Sequence, residues 1–278
     1  MKVTRAGGTC LLVMLAIVAF AATSASASLY EVKGLPEMGR CVKTALGQGT
    51  YIGGNCISVA KPGAGRYEFI PASATEKLTF TGAGNESTLT TVGHPTIKCA
   101  ATNIKGEWRG PKVATVEIEF QACKNALEEP CQSTPPNKTE IKTFPLEGEL
   151  GFIKNQVKEG KLTVNVGLDL KPQEPTTKLA TFECGSTVTG NTQSLEGSVI
   201  GEIKPINRMT TLSNLVFRLR SNGEQYPSSF EGLPEDTLTS AFQTGLATTF
   251  APSTLKVKEE TGHNSSALEI KAKETPAS

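Results

Sequence analysis

The amino-acid sequence predicts an all-β fold, an antiparallel β-sandwich or barrel with little helix apart from a signal peptide. From Lys77 onward, short segments that alternate apolar and polar residues follow one another, separated by turn residues. In the clearest segment Val116, Ile118 and Phe120 alternate with polar residues, so one strand face is apolar and the other is exposed to solvent. No apolar stripe of 3.6-residue period is long enough for a major helix.

Residues 1–27 have the pattern of a secretory signal peptide. Lys2 and Arg5 form a basic region, Cys10 to Ala22 is an apolar run, and a small-x-small motif ends at Ala27. The apolar run is shorter than the roughly 20 residues that a spanning helix needs. We therefore expect cleavage after Ala27 and a secreted or extracytoplasmic protein.

The composition of the mature chain argues against nucleic acid as a partner. Cleavage removes the two positive charges of Lys2 and Arg5 from a formal net charge of +1, which leaves −1. Binding to a polyanion draws most of its affinity from Lys and Arg, and no run of these residues forms a basic stripe. No second apolar segment approaches membrane length, so we expect no membrane span in the mature chain.

Six cysteines remain after cleavage, and their even number favours three disulfides in an oxidising compartment. Sequence proximity predicts the pairs Cys41–Cys56 and Cys123–Cys131 and, by elimination, Cys99–Cys184. The rival interpretation is a zinc site, but the chain has no Cys-x-x-Cys motif and only two histidines. We expect no metal and no cofactor.

The chain divides into a small stapled module at residues 28–74, a main β domain at 75–272 and a disordered tail at 273–278. Glycines between Cys41 and Cys56 indicate a tight loop tied at its base. In the main domain, Ile141 to Ile153 and Lys161 to Lys171 predict an antiparallel pair joined by a turn at Asn155 to Gly160. The alternation of the second strand places Asp169 on the wet face. Asp236 to Phe242 is the one short helix predicted after the signal peptide.

Two pairs of glutamates raise the possibility of glycoside hydrolysis, which uses paired carboxylates. Glu117 and Glu119 share one strand face, as do Glu147 and Glu149. Charges on the solvated face of an amphipathic strand need no function, however, and this interpretation is stronger. His94 and His263 lie in predicted loops, and no Gly-x-Ser-x-Gly motif is present, so no catalytic residue is assigned.

Aromatic residues offer a second type of site, because flat rings pack well against sugars. The candidates are Trp108, Tyr51, Tyr67 and Tyr226, but aromatic residues make up only 6% of the chain, and Trp108 is better explained as a core residue. Asn-x-Ser/Thr sequons at Asn85, Asn137 and Asn264 fall in predicted loops.

Five short motifs are spread along the mature chain: Pro36–Lys43, Gly65–Phe69, Pro145–Gly151, Gly197–Gly201 and Asn207–Thr210. Together they resemble a set of uncharacterised secreted bacterial all-β proteins that carry an N-terminal signal peptide. The resemblance covers most of the mature chain and implies export and a β-rich fold. That set has no assigned activity, so the resemblance transfers no catalytic residue.

These observations predict an exported, non-enzymatic protein that binds or coats the cell surface or an extracellular ligand. The alternative is a secreted hydrolase for glycan or ester that uses carboxylates from separate strands. The two differ in geometry. A hydrolase needs two of Glu117, Glu119, Glu147, Glu149, Glu183 and Glu196 in one pocket, with carboxyl groups about 5–10 Å apart.

Overall fold

A computed structural model describes residues 34–133, 140–159, 161–185, 192–234, 237–244, 246–258 and 260–275. Within these residues the chain forms strands and no helix, which confirms the all-β prediction. The signal peptide and its cleavage residue Ala27 lie outside the described residues. The strands are β1 (Glu37–Lys43), β2 (Tyr67–Pro71), β3 (Leu78–Gly84), β4 (Ser87–Thr91), β5 (Ile97–Cys99), β6 (Ala101–Trp108), β7 (Val113–Gln121), β8 (Cys131–Ser133), β9 (Ile141–Lys142), β10 (Leu146–Lys158), β11 (Lys161–Pro172), β12 (Lys178–Cys184), β13 (Gln193–Glu196), β14 (Val199–Lys204), β15 (Thr210–Leu212), β16 (Asn214–Val216), β17 (Arg218–Leu219), β18 (Gln225–Tyr226), β19 (Thr239–Thr244), β20 (Ala247–Val257) and β21 (Thr261–Lys271).

A 12-stranded antiparallel sheet forms a nearly closed barrel. Its order is β16-β14-β11-β10-β7-β6-β3-β21-β1-β2, with β15 beside β21 and β9 beside β7. The edge strand β16 approaches the interior strand β21, where the amide of Ser213 donates to the carbonyl of Gly262, at 2.8 Å. The amide of Gly262 in turn donates to Asn214 Oδ1, at 2.9 Å. These bonds bring β16 against β21 and nearly close the barrel.

The barrel interior is filled by the alternating apolar residues that the sequence identifies. Val116, Ile118 and Phe120 are buried as predicted, and Trp108 is wholly buried. Gly106 faces Phe80 across β6 and β3, and a Cβ at this glycine would lie 2.1 Å from the Phe80 ring. Glycine is required here because the aromatic ring occupies the space above it.

A seven-stranded sheet packs over one end of the barrel, in the order β5-β4-β20-β19-β13-β12-β8. Apolar side chains of both sheets line a cavity of about 40 Å³ between them, among them Phe120 of the barrel and Phe182 and Leu255 of the smaller sheet. The two sheets therefore share one apolar core.

The predicted pairing of the two longest neighbouring segments is confirmed, since β10 and β11 are antiparallel along their whole length. The predicted turn is too long: β10 continues to Lys158, and Glu159 has a positive φ of 52° at the tight turn. Asp169 is wholly buried rather than on a wet face, with its carboxylate 2.8 Å from Lys171 Nζ. The neighbouring Ile200 is equally buried, because the outer face of the sheet is covered here.

The predicted helix at Asp236 to Phe242 is wrong over its described part, since Asp236 itself lies outside the described residues. Residues 239–244 form β19, which pairs with β13 on one side and β20 on the other. Backbone pairing on both sides overrides the local pattern that suggested a helical turn.

The three disulfides are Cys41–Cys56, Cys99–Cys123 and Cys131–Cys184. The first confirms the prediction, whereas the predicted pairs Cys123–Cys131 and Cys99–Cys184 are wrong. Cys131 lies directly opposite Cys184 in the register of β8 and β12. Cys99 approaches Cys123 because the backbones of Lys98 and Lys124 are bonded to each other. Strand register, not distance along the chain, sets these pairs, and three intramolecular disulfides fit an extracytoplasmic environment.

The N-terminal loop between Cys41 and Cys56 packs around its own small core of Cys41, Tyr51, Cys56 and Phe69. Its strands β1 and β2 extend the large sheet beyond β21. Of the predicted tail at 273–278, residues 276–278 lie outside the described residues. The amide of Val59 donates to the carbonyl of Thr275 at 3.0 Å. The division at residue 74 stays a prediction.

Among the described residues, no helix has the length and apolar character needed to cross a membrane.

Candidate functional site at the end of the seven-stranded sheet

The inner face of the seven-stranded sheet changes from buried to exposed along β20. Leu255 is buried in the shared core, whereas Thr249, on the same face, is exposed. At this level Gln193 of β13, Phe242 of β19 and Thr249 of β20 lie in one row across the three strands. The sheet thus presents an amide, an aromatic ring and a hydroxyl side by side.

A second flat ring, that of His94, lies over Phe242. It lies in the turn between β4 and β5, as the sequence predicts, and stacks on Phe242 with the ring centroids 3.5 Å apart and the planes 7° from parallel. Stacking covers one face of each ring with the other, so the pair keeps two outer ring faces, which are apolar, and a polar edge at the imidazole nitrogens.

A loop at residues 124–130, here called the stapled loop, forms the facing wall. Cys123 and Cys131 bound it, and each makes a disulfide to a strand of the smaller sheet. Inside it, Asn125 Oδ1 accepts hydrogen bonds from the amides of Leu127 and Glu129, at 2.9 and 3.0 Å. The Asn125 side-chain amide donates to Glu129 Oε2 at 2.7 Å. Two covalent anchors and an internal bonding network hold this wall in one shape.

Three hydroxyl groups lie beneath the cleft and fix the strands that support it. Thr91 Oγ1 lies 3.0 Å from Ser240 Oγ and 2.9 Å from Ser253 Oγ, and the two serine oxygens are 2.7 Å apart. All three side chains are buried, so the triangle satisfies groups that would otherwise be costly to bury. It ties together β4, β19 and β20.

These elements enclose a cleft of about 350 Å³, which we call the end cleft. Its volume is at the low end of the range of about 300–1,000 Å³ that is usual for ligand sites. The residues that line it are Thr91, His94, Pro95, Ile97, Asn125, Leu127, Glu129, Cys184, Thr192, Gln193, Phe242, Gln243 and Thr249. No Lys or Arg is among them. The end cleft is therefore suited to hydrogen bonding and stacking with a small or narrow ligand.

The structure does not gather the carboxylates that the hydrolase alternative needs. Glu119 is ion-paired with Lys142 at 2.9 Å, and Glu117 and Glu147 each face a lysine across the strands. Glu183 accepts a long hydrogen bond from Gln132, at 3.5 Å. Glu196 accepts a hydrogen bond of ordinary length from Ser194, at 3.0 Å. Of the six glutamates, only Glu149 lines any of the described clefts.

That glutamate belongs to a second groove, of about 520 Å³, which runs along β10. Glu149 shares it with Glu231, and Lys112 and Lys154 also line it. Glu231 Oε1 accepts a hydrogen bond from the backbone amide of Phe152 at 2.7 Å. The Glu231 carboxylate thus holds its own loop against β10, which is a structural task.

The aromatic residues proposed from the sequence do not form a platform. Trp108 and Tyr51 are buried, and Tyr226 lies beneath Arg218 and Arg220 at about 6 Å. The predictions of loops at His263 and Asn264 are wrong, because both residues lie in β21 and Asn264 is buried. Asn137 lies outside the described residues.

Sequence reasoning missed a polar cluster beneath the N-terminal loop, here called the module cluster. It consists of Tyr51, Lys271 and Glu274, which bond to one another, and of the buried Glu269 beside them. The Lys271 ammonium donates to the Tyr51 hydroxyl and to Glu274, and the Tyr51 hydroxyl donates to Glu274. The ammonium also lies 4.1 Å from the centre of the Tyr51 ring and 5.2 Å from that of Phe69. The alternation of β21, which puts Glu269 and Lys271 on one face, was the available signal.

Burial and pairing shift the pKa values of this cluster. Burial, reinforced by the hydrogen bond to Glu274, raises the pKa of Tyr51 above its usual value. Burial raises the pKa of Glu269 to about 7, although the nearby Lys271 opposes this. For Glu274, burial is outweighed by hydrogen bonds from Lys271 and Tyr51, which hold its pKa below the ordinary value. Lys271, Tyr51 and Glu274 thus satisfy one another, whereas neither carboxylate oxygen of the buried Glu269 has a hydrogen-bond partner among the described residues. The cluster is part of the fold.

Sequence reasoning also missed the end cleft, since it assigned Phe242 to a helix and His94 to a turn without function. Among the described residues, no group of three or more His, Cys, Asp or Glu side chains is placed to hold a metal ion. No protein family, curated protein or solved structure matches this chain.

Proposed function

We propose that this chain is an exported, non-enzymatic binding protein of the cell surface or extracellular space, and that its ligand occupies the end cleft. A signal peptide at residues 1–27 directs the chain out of the cytoplasm. The three disulfides then form in the oxidising environment outside. The all-β scaffold then acts as a rigid support for the site.

The observation that carries this proposal is the construction of the end cleft. One wall is a loop anchored by two disulfides and by the Asn125 network, and the other is a strand row that bears stacked rings. Walls fixed in advance reduce the entropy lost on binding, which is the usual property of a preorganised site.

The hydrolase alternative has less support. Glu149 and Glu231 share the second groove, but Glu231 is engaged with the backbone of Phe152. The other five glutamates named from the sequence lie outside the described clefts.

The proposal is tested by co-sedimentation of the mature chain, residues 28–278, with purified cell envelope from its own source at low and high salt. We compare the wild type with Phe242→Leu, which removes the flat ring while keeping an apolar side chain. We expect the wild type to pellet at both salt concentrations and Phe242→Leu to pellet at least tenfold less.

Phe250→Leu is the matched control. Phe250 lies on the same hairpin, but it is opposite Ala241, so it faces away from the end cleft, and it is 62% exposed. This variant should pellet like the wild type. A wild type that stays in the supernatant, or equal losses in both variants, contradicts the proposal.

A further inference from the structure

We infer that the ligand of the end cleft is an uncharged glycan, that is, a carbohydrate chain rich in hydroxyl groups. This inference rests on the proposed function, because it names the class of ligand for the same site. It follows from the charge, the hydrogen-bonding groups and the flat surface of the cleft.

The charge of the lining argues against anionic ligands. Proteins hold phosphate and carboxylate groups chiefly through Lys and Arg, and among the described residues neither type lines the end cleft. The nearest lysine of the stapled loop is Lys124, whose ammonium is paired with Glu128 at 3.1 Å. A phosphate-bearing or acidic polymer would find no fixed positive charge on these walls.

A cationic ligand fits little better. The lining has one carboxylate, Glu129, and its Oε2 already accepts a hydrogen bond from the Asn125 side chain at 2.7 Å. Recognition of an ammonium or guanidinium would divert this carboxylate from the network that shapes the loop. The site is thus adapted to a ligand without net charge.

The polar groups of the lining match hydroxyls. Gln193 and Gln243 each carry an amide that both donates and accepts, and Thr192 and Thr249 carry hydroxyls with the same dual capacity. Sugar hydroxyls also donate and accept, so each can bond to such a group in either sense. Gln193 and Thr249 lie on either side of Phe242 in the strand row.

The flat surface supplies the second half of sugar recognition. Phe242 and His94 stack within 7° of parallel, so each ring keeps one outer face, and His94 is exposed. The exposed Leu127 lines the cleft as well. The C–H faces of a pyranose ring are apolar and pack against such surfaces, whereas its rim of hydroxyls requires polar partners. The end cleft combines both kinds of surface within about 350 Å³, which suits a short stretch of a glycan.

The inference is tested by competition with fractions of the envelope. Envelope polysaccharide is separated by anion and cation exchange into neutral, anionic and cationic fractions, and each fraction competes for the pelleting of the mature chain. We expect the neutral fraction to release the protein at a concentration at least tenfold lower than either charged fraction. Envelope digested with trypsin should still bind. Competition by a charged fraction, by none of them, or loss of binding after trypsin overturns the inference.

A substitution gives an independent reading of ligand charge. Gln193→Glu keeps the shape of the side chain and adds a negative charge to the cleft. Gln48→Glu, the control, makes the same change in the N-terminal loop between Cys41 and Cys56. For a neutral glycan we expect Gln193→Glu to weaken pelleting about tenfold and Gln48→Glu to leave it unchanged. Stronger pelleting of Gln193→Glu indicates a cationic ligand and overturns the inference.

The two proposals fail in different ways. If pelleting requires Phe242 but only a charged fraction competes, the end cleft is a binding site and the ligand class is wrong. If pelleting does not depend on Phe242, the proposed function itself is wrong.

Discussion

The module cluster and the end cleft are both polar regions backed by disulfides, yet they differ in how their polar groups are satisfied. In the module cluster, Lys271, Tyr51 and Glu274 bond to one another, and Lys271 is only 4% exposed. In the end cleft, Gln193 and Thr249 line an open space beside stacked rings. Closed networks stabilise a fold, whereas open ones are free to bind, and this difference assigns structure to one region and function to the other.

The disulfides should show the largest effects on stability. In the chain-entropy account, the Cys41–Cys56 bridge, with a sequence separation of 15, contributes about 3 kcal/mol, and the Cys131–Cys184 bridge, with a separation of 53, about 4 kcal/mol. We therefore expect the double Ala variant of Cys131 and Cys184 to lose more free energy of unfolding than that of Cys41 and Cys56. Urea unfolding monitored by Trp108 fluorescence measures both. The reverse order would show that the module, not the stapled loop, depends more on its bridge.

Replacement of Lys271, whose ammonium is buried, should have the next largest effect on the free energy of unfolding. Removing one partner of a fully buried pair costs about 3–5 kcal/mol, but the Glu274 side chain is 38% exposed and can be hydrated after the change. We expect Lys271→Met to lower the free energy of unfolding by about 2 kcal/mol, measured by urea unfolding. Lys61→Met, at an exposed position of the same module, should change it by less than about 0.5 kcal/mol. Equal losses would argue that the cluster contributes nothing of its own.

The buried carboxyls make stability depend on pH. Burial raises the pKa of Glu269 to about 7 and that of Glu260 to about 8, from an ordinary value of 4.5. Because the folded state holds these protons more tightly, their contribution to stability is fully present below pH 4.5 and is lost as the pH rises through 7 and 8. We expect the melting temperature to fall between pH 5 and 8, and Glu269→Gln to reduce that fall.

Glu119→Gln is the control of opposite sign. Hydrogen bonds from Gln121 and then Lys142 lower the pKa of Glu119, so its contribution is present above pH 4.5 and is lost as the pH falls below that value. This variant should leave the change between pH 5 and 8 intact. A Glu269→Gln protein with the full wild-type slope would show that Glu269 does not carry it.

The end cleft should show the smallest effect on stability. Phe242 is only partly buried, so we expect Phe242→Leu to lower the free energy of unfolding by less than about 1.5 kcal/mol, as for other size-conserving apolar changes. Thermal unfolding of Phe242→Leu and Phe250→Leu side by side checks this. A loss of several kcal/mol in Phe242→Leu alone would mean that the ring belongs to the core and would return the end cleft to a structural role.

The alternation of side chains predicted the fold class well but did not predict the sites. Val116, Ile118 and Phe120 signal a half-buried strand because the period of two is a local property of the chain. The pairing of Cys131 with Cys184 depends on β8 lying beside β12. The stacking of His94 on Phe242 depends on β4 and β19 lying in one sheet, separated only by β20. Such contacts are set by strand order, which a single sequence does not specify.

The burial of Asp169 also could not be predicted from the alternation of side chains. Its place in the alternation of β11 predicts exposure, and only the cover over the outer face of the barrel buries it. Where a sheet is covered on both faces, the period of two no longer separates core from surface.

Hydrogen–deuterium exchange of the mature chain, with and without saturating envelope polysaccharide, locates the binding surface. If the ligand occupies the end cleft, we expect slower exchange at the backbone amides of the stapled loop and of β19 and the start of β20, with little change in β1 and β2. Protection confined to the N-terminal loop or to the groove beside Glu149, with the end cleft unchanged, would contradict it.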